Sequence, residues 1–132
     1  MKFILMMNGT KAGVDGYQAW READRQAHFE FLSRLNQELR ESGEFVATQP
    51  LASPGEAKVV RAGSNGVPVT DGVFPETKEF LLGYWIVDVA NAERAYEIAG
   101  RLSAGPGPGG VPTNMPIEVR QLAAARTERS PR

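Results

Sequence analysis

The chain has 132 residues, 42% of them hydrophobic, with 15 basic against 16 acidic side chains and no cysteine. This length and composition predict one folded, water-soluble domain, and they exclude disulfide-bonded scaffolds, zinc–thiolate sites and cysteine nucleophiles. The near-neutral charge also argues against nucleic acid as a partner, because nucleic-acid-binding surfaces usually carry a basic excess.

Apolar periodicity and turn residues divide the chain into alternating strands and helices. In chain order the pattern predicts a strand at residues 2–7, a helix at 17–42, a strand at 44–51, a hairpin with arms at 57–61 and 67–70, a strand at 79–89, a helix capped by Asn91 and ending at 102, and a strand at 117–122. Glycines at 9, 13 and 16 predict a loop before the first helix, and four glycines with four prolines predict another at 103–116.

The ends of the first helix carry recognisable signals. Asp15, with Gln18 three residues later, resembles a capping box, and Gly43 is placed to end the helix. Residues 1–122 are predicted to form the domain. Residues 123–132 hold three arginines and no apolar period, which predicts a flexible polar tail.

The element order predicts an α+β domain of the ferredoxin-like βαββαβ type with an inserted β-hairpin. Two helices can cover only one face of its sheet, yet residues 3–7 and 80–87 are apolar on both faces, as in strands buried on both sides. We therefore expect a homodimer joined through the open sheet face, with the hairpin covering part of the seam.

The apolar run at residues 3–7 is shorter than a signal peptide or a membrane span requires. We therefore expect a cytoplasmic protein with no membrane partner.

His28 is the only histidine and the first candidate for chemistry. It falls on the apolar face of the first helix, one turn after Asp24, so that the two side chains can meet. A carboxylate there would orient the imidazole for general acid–base catalysis. A buried histidine paired only for structural reasons explains the same spacing, and Arg25 also neighbours the ring.

A polar segment at residues 70–78 precedes the most apolar strand and is the second candidate. Asp71, followed by glycine, predicts a tight turn and could replace Asp24 as the orienting carboxylate. Glu76 and Lys78 are candidate substrate contacts, since loops at strand ends often carry function. A solvated charge cluster is the alternative. The spacing enforces no metal site, so we expect neither a metal nor a cofactor.

Tyr84 and Trp85 are neighbours in the strand at 79–89, so one should face the helices and the other the opposite side. Either ring is a candidate for lining a substrate pocket, with core packing as the alternative.

The GPGPGG run at 105–110 formally matches the dinucleotide-binding pattern G-x-G-x-x-G. That fingerprint requires a strand before it and a helix after it, whereas here the order is reversed. We therefore expect no nucleotide, and a mobile connection or lid is the simpler interpretation.

The motif Asp71-Gly72-Val73-Phe74, followed by Glu76-Thr77-Lys78-Glu79 and Gly83-Tyr84-Trp85, resembles the YCII-related family. Within it, the chain is most similar to the branch named for an Asp-Gly-Pro-Phe motif. The resemblance extends over residues 1–122 and implies a ferredoxin-like domain that pairs into a dimeric α/β barrel.

Some YCII-like proteins have a histidine early in the first helix, proposed as half of a His–Asp catalytic pair. The stretch at residues 25–29 resembles that region, so the resemblance implies a catalytic role for His28. The companion aspartate's Asp-Pro context does not occur here, and Asp24 or Asp71 would have to substitute. Branch members also resemble accessory proteins associated with extracytoplasmic-function sigma factors in bacteria.

Two functions therefore stay open. One is a dimer that binds a small organic ligand between the first helix and residues 71–78 and acts as a cofactor-free acid–base enzyme through His28. The other is a non-enzymatic sensing or protein-interaction module linked to sigma-factor-type transcription control.

Overall fold

The computed structural model describes residues 1–72 and 78–124, which form the mixed α+β fold that the sequence predicts. The strands are β1 (Lys2–Thr10), β2 (Phe45–Pro50), β3 (Lys58–Arg61), β4 (Val69–Gly72), β5 (Glu79–Asp88) and β6 (Ile117–Gln121). The helices are α1 (Lys11–Gln18), α2 (Glu22–Glu41) and α3 (Ala92–Ser103). Glu76 and the part of the predicted tail beyond residue 124 lie outside the described residues.

Four strands form one antiparallel sheet in the order β2-β5-β1-β6. Its two central strands come from the most apolar segments of the chain, and Leu5 of β1 lies opposite Trp85 of β5. Strands β3 and β4 form a separate hairpin, as the Asn-Gly turn predicts. Its second arm begins two residues later than predicted, because the Val67 amide donates to the Asn65 side chain at 3.2 Å and so belongs to the turn.

The region before the main helix is itself helical, so the loop predicted from its glycines is wrong. Helix α1 begins after Thr10, whose hydroxyl accepts a hydrogen bond from the Gly13 amide at 3.2 Å. The capping box predicted at Asp15 is also wrong, because that residue lies inside α1. Each of the two helical glycines disfavours the helix by about 1 kcal/mol, and the threonine cap offsets only part of that cost. The chain then breaks at residues 19–21 before α2, which ends as predicted with Gly43 in the left-handed region (φ 79°).

The core lies between the helices and one face of the sheet. Its most deeply buried side chains are Leu5 of β1, Leu35 and Leu39 of α2, and Ile98 and Leu102 of α3, each at most 1% exposed. They form one cluster with the helix-facing residues of β5. The apolar stripe predicted for α2 is therefore confirmed.

The opposite face of the sheet is also apolar but less buried. Strand alternation places Ile4, Met6, Tyr84 and Ile86 on this face, and all four are only partly buried. The buried side chains of α2 and α3 pack on the other face. The sheet-to-sheet dimer predicted from the sequence concerns this second face and stays a prediction.

Ion pairs tie the outer, polar surfaces of the helices together. Arg94 of α3 donates to both carboxylate oxygens of Glu44, each at 2.9 Å, and thereby holds the pKa of that carboxyl below its usual value. Arg101 of α3 reaches Glu38 of α2 at 2.9 Å. Among the helices of the described ranges, none combines the length and the apolar character needed to cross a bilayer.

Candidate functional site

A cavity of about 790 Å³ lies at one end of the helix-facing side of the sheet. Helices α1 and α2 supply one wall, the sheet supplies Met7 and Leu82, and two irregular segments close it at residues 50–54 and 107–115. Most of its lining is apolar or aromatic: Met7, Val14, Tyr17, Trp20, Leu32, Pro50, Leu51, Pro54, Leu82, Pro108, Val111, Pro112 and Met115.

One arginine of α2 supports the wall that α1 forms. Helix α1 has no buried residue of its own. The Arg25 guanidinium of α2 donates to the backbone carbonyls of Gln18, at 2.9 Å, and of Trp20. These bonds satisfy carbonyls at the end of α1 and fix the turn that presents the Trp20 ring to the cavity.

The opposite wall is the glycine- and proline-rich connection after α3. Hydrogen bonds fold this connection back on itself and onto the end of α3: the Ser103 hydroxyl donates to the Met115 carbonyl at 2.7 Å, and the Thr113 amide donates to the Gly105 carbonyl at 3.0 Å. A Cβ atom at Gly105 would lie 3.0 Å from Cε1 of His28, so only glycine leaves the imidazole its full space. The connection is therefore folded through its own hydrogen bonds, and the mobile connection or lid that its composition predicts stays a prediction.

His28 of α2 is buried against this connection, with 8% of its surface exposed. Its Nδ1 lies 3.0 Å from the carbonyl oxygen of Pro106. A carbonyl can only accept, so Nδ1 carries the proton and donates it. The Trp20 ring stands edge-on to the imidazole with centroids 5.7 Å apart, and the Tyr17 ring lies at 6.2 Å. The Pro106 carbonyl and the two aromatic rings together fix the orientation of the imidazole.

The second nitrogen of the imidazole, Nε2, is in a different environment. It has no hydrogen-bond partner among the described residues, yet no side-chain nitrogen or oxygen atom in those residues is both fully buried and unpartnered. Nε2 of His28 therefore retains accessible surface, and His28 is one of the residues that line the cavity. With the proton on Nδ1, this atom presents a lone pair that can accept a hydrogen bond or a proton.

The two carboxylates predicted to orient His28 lie elsewhere. The Asp24 carboxylate accepts from Nε of Arg21 at 3.4 Å, although its helical spacing also permitted contact with the imidazole. Asp71 lies in the exposed β3–β4 hairpin and pairs with Arg61 at 3.5 Å. Neither residue lines the cavity, and the Pro106 carbonyl occupies the orienting position instead.

The predicted substrate contacts that the structure describes also lie away from the cavity lining. Trp85 is 6% exposed in the core, where its indole N–H donates to Asn36 at 2.8 Å. Tyr84 projects from the opposite face, which confirms that the two rings face opposite ways. The ammonium group of the exposed Lys78 lies 5.5 Å from the Phe80 ring centroid.

A β-bulge explains why Leu82, and not an aromatic residue of β5, lines the cavity. Met7 lies opposite Gly83 and Asn8 opposite Leu81, so Leu82 has no partner on β1. Its side chain covers Gly9, where an added Cβ would lie 2.7 Å from Cδ1 of Leu82. Bulges commonly redirect a side chain in this way, and simple strand alternation does not predict them.

Sequence reasoning also missed the two aromatic residues of the site. The predicted helix at 17–42 contains Tyr17 and Trp20 and gives neither residue a role. In the structure the helix is broken at residues 19–21, and both rings lie beside His28. The available signal was two large rings just upstream of the only histidine. The segment at residues 50–54 carried no signal beyond its prolines.

The cavity is uncharged over its described lining, which holds no Lys, Arg, Asp or Glu. Within residues 1–72 and 78–124 there is likewise no group of three or more potential metal-ligating side chains. The chemistry that the described lining offers is therefore apolar contact, the His28 Nε2 lone pair and a few neutral polar groups.

Comparisons with known proteins give a family. Residues 1–112 match the YCII-related domain. The chain is also 32% identical over 106 residues to Uncharacterized protein R00369 of Rhizobium meliloti (strain 1021), an alignment that covers 80% of this chain and 81% of that protein. Both the extent of the domain match and this similarity show that the chain belongs to the YCII-related family.

Proposed function

We propose that this protein binds a small, largely apolar organic molecule in the cavity and that His28 engages it through Nε2. One observation carries the proposal: the only histidine lines an apolar cavity, with Nδ1 fixed by the Pro106 carbonyl and Nε2 accessible and without a partner among the described residues. Pockets of this size, with a mostly apolar lining and few polar groups, are typical of small-molecule sites.

The same geometry supports acid–base chemistry without a cofactor. A ligand proton taken by Nε2 would leave an imidazolium whose Nδ1–H still points at the Pro106 oxygen. The carbonyl fixes the tautomer and the ring plane, as the carboxylate does in a His–Asp pair. Because a carbonyl has no full negative charge, it stabilises that imidazolium less than a carboxylate would.

A ligand-sensing module without turnover is the second candidate. The described lining contains no carboxylate to act beside His28, since Asp24 is paired with Arg21 and Asp71 lies in the hairpin. A site with one proton-accepting group suits recognition as well as catalysis. Such a module would fit the link to sigma-factor-type transcription control that the Asp-Gly-Pro-Phe branch implies.

We also propose that the strand order is the ferredoxin-like one and that two copies pair through their open sheet faces into a dimeric α/β barrel. The apolar, partly buried Ile4, Met6, Tyr84 and Ile86 support this arrangement. Ile86→Lys should convert the dimer to a monomer in analytical ultracentrifugation. Tyr96→Lys, which places the same charge on the exposed face of α3, should leave it dimeric. A monomeric wild-type protein would contradict the proposal.

The ligand-binding proposal can be tested with 1,4-dimethylbenzene as a probe. The single histidine gives one unambiguous Cε1–H signal in NMR spectra. In Trp85→Phe the remaining Trp20 reports from the cavity wall by fluorescence. We expect saturable changes in both signals, and we expect Val14→Phe to weaken them by filling the cavity.

The matched control for that probe is Val60→Phe, which makes the same substitution at an exposed position of the β3–β4 hairpin. It should bind the probe as the wild type does. The proposal fails if no small aromatic probe, dimethylbenzene included, changes the His28 or the Trp20 signal up to its solubility.

A further inference from the structure

We infer that the cavity selects an uncharged ligand with a flat ring and a hydrogen-bond-donating substituent, such as a phenol or an enol. The inference rests on the proposed ligand-binding function and names the chemical class that the site would take. Three features of the described lining carry it: the tautomer of His28, the absence of charge, and the shape of the walls.

The tautomer of His28 determines which partner the cavity needs. Because Nδ1–H donates to Pro106, Nε2 can only accept in the neutral ring. Another polar group of the lining is already engaged, since the Thr113 hydroxyl donates to the Ser103 carbonyl at 3.1 Å and accepts from the Met115 amide at 3.4 Å. A ligand that donates a hydrogen bond to Nε2 satisfies this lone pair, whereas an ether, a ketone or a hydrocarbon leaves it unpaired.

The absence of charged side chains from the described lining disfavours ionic ligands. No Lys, Arg, Asp or Glu of the described residues lines the cavity. Arg25 and Asp24 are close to the site in sequence, but the first is bound to backbone carbonyls and the second to Arg21. An unpaired anion or cation loses its hydration in such a site without a compensating partner.

The walls favour a flat molecule. Tyr17 and Trp20 present ring faces or edges with centroids 4.9 Å apart and a 56° tilt. Four proline rings, at positions 50, 54, 108 and 112, add rigid apolar surface. Aromatic ligands gain more from such walls than flexible chains do, because stacking and edge contacts add to burial and few rotatable bonds must be ordered.

A matched set of three probes tests this class: 4-methylphenol, 1,4-dimethylbenzene and 4-methylbenzoate, titrated at neutral pH and followed by the His28 Cε1–H signal. The ring and one methyl group are constant, and only the second substituent changes from hydroxyl to methyl to carboxylate. We expect the phenol to bind about fivefold more tightly than the hydrocarbon, as one net hydrogen bond allows. The benzoate should bind at least about tenfold more weakly than the phenol.

Two variants assign the preference to Nε2. His28→Asn retains an amide that can donate to Pro106 but has no group at the Nε2 position, so it should lose the preference for the phenol over the hydrocarbon. His28→Gln places its amide near the Nε2 position and should retain part of the preference. In wild-type protein, ¹⁵N spectra should show Nε2, and not Nδ1, shifting when the phenol binds, a readout that needs no variant.

The outcomes distinguish a failure of this inference from a failure of the proposed ligand-binding function. Equal binding of the phenol and the hydrocarbon, or an unchanged Nε2 signal, would overturn the inference and leave the binding site in place. Tightest binding of the benzoate would also overturn it and would reveal a cationic partner. Failure of all three probes to bind would contradict the proposed function itself.

Discussion

The apolar stripe of α2 borders two different regions of the molecule. Toward its C-terminal end, Leu35 and Leu39 are 1% exposed and belong to the closed core. Toward its N-terminal end, His28 and Leu32 line an open cavity. The difference lies in what covers the stripe. Helix α3 brings large buried side chains such as Ile98, whereas α1 and the glycine- and proline-rich connection bring small or rigid residues that leave space.

Truncating a leucine at each end should give the largest contrast. Leu35→Ala should lower the free energy of unfolding by about 3–4 kcal/mol, because it opens a hole in a closed core. Leu32→Ala, one turn earlier on α2, should cost only about 1 kcal/mol, because the cavity already reaches that side chain. Urea unfolding of both variants measures the difference. Equal losses would show that the cavity end is packed as tightly as the core.

A second prediction concerns the ion pair that ties the core end of α3 to the turn after α2. Glu44→Gln should cost about 1–2 kcal/mol, since Arg94 loses a two-pronged, partly buried partner. The pKa of Glu44 is lowered by the hydrogen bonds from Arg94. The stabilisation is therefore complete above the unfolded-state pKa, about 4.3, and is lost as the pH falls through the lower folded-state value.

The control for this pair is Glu97→Gln, which removes a more exposed carboxylate 3.5 Å from the same guanidinium. It should change stability by less than about 0.5 kcal/mol. Unfolding curves for wild type and both variants at neutral pH and below pH 4 give the result. If the two variants lose stability equally, or if Glu44→Gln keeps the wild-type pH dependence, the assignment to Glu44 is wrong.

The smallest effect on stability should come from the cavity end. Gly105→Ala places a Cβ 3.0 Å from Cε1 and 3.2 Å from Nδ1 of His28, and we expect a loss below about 1 kcal/mol as the imidazole gives way. The signals of His28 should nonetheless move clearly, since its bond to Pro106 is disturbed.

Gly100→Ala is the matched control for that change. A Cβ there meets nothing within 4 Å, and the residue lies inside α3, so the variant should be more stable by about 0.5–1 kcal/mol. Thermal unfolding and imidazole NMR of both variants provide the comparison. An unmoved His28 in Gly105→Ala would mean that the connection, and not the ring, adapts.

Local pattern predicted most of the fold but little of the site. The strands, the end of α2 at Gly43 and the place of His28 on an apolar face follow from spacings of two to four residues. The sequence did not predict the helix at residues 11–18, because the low helix propensity of its glycines is larger in free energy than the gain from the single threonine cap. Neither carboxylate predicted for His28, Asp24 or Asp71, contacts it in the structure, and the group within hydrogen-bond distance of Nδ1 is a backbone carbonyl, which every residue has.

The sequence by itself determined which face of α2 carries His28, which strands are apolar on both faces, and the YCII-related family to which the chain belongs. The tertiary structure alone decided that the Pro106 carbonyl, 78 residues away, accepts the hydrogen bond from Nδ1 and that a bulge places Leu82 in the cavity wall. The reason is the range of the interactions. Helix and strand faces are set by neighbours a few residues apart, whereas a cavity exists only where distant segments meet without filling the space between them.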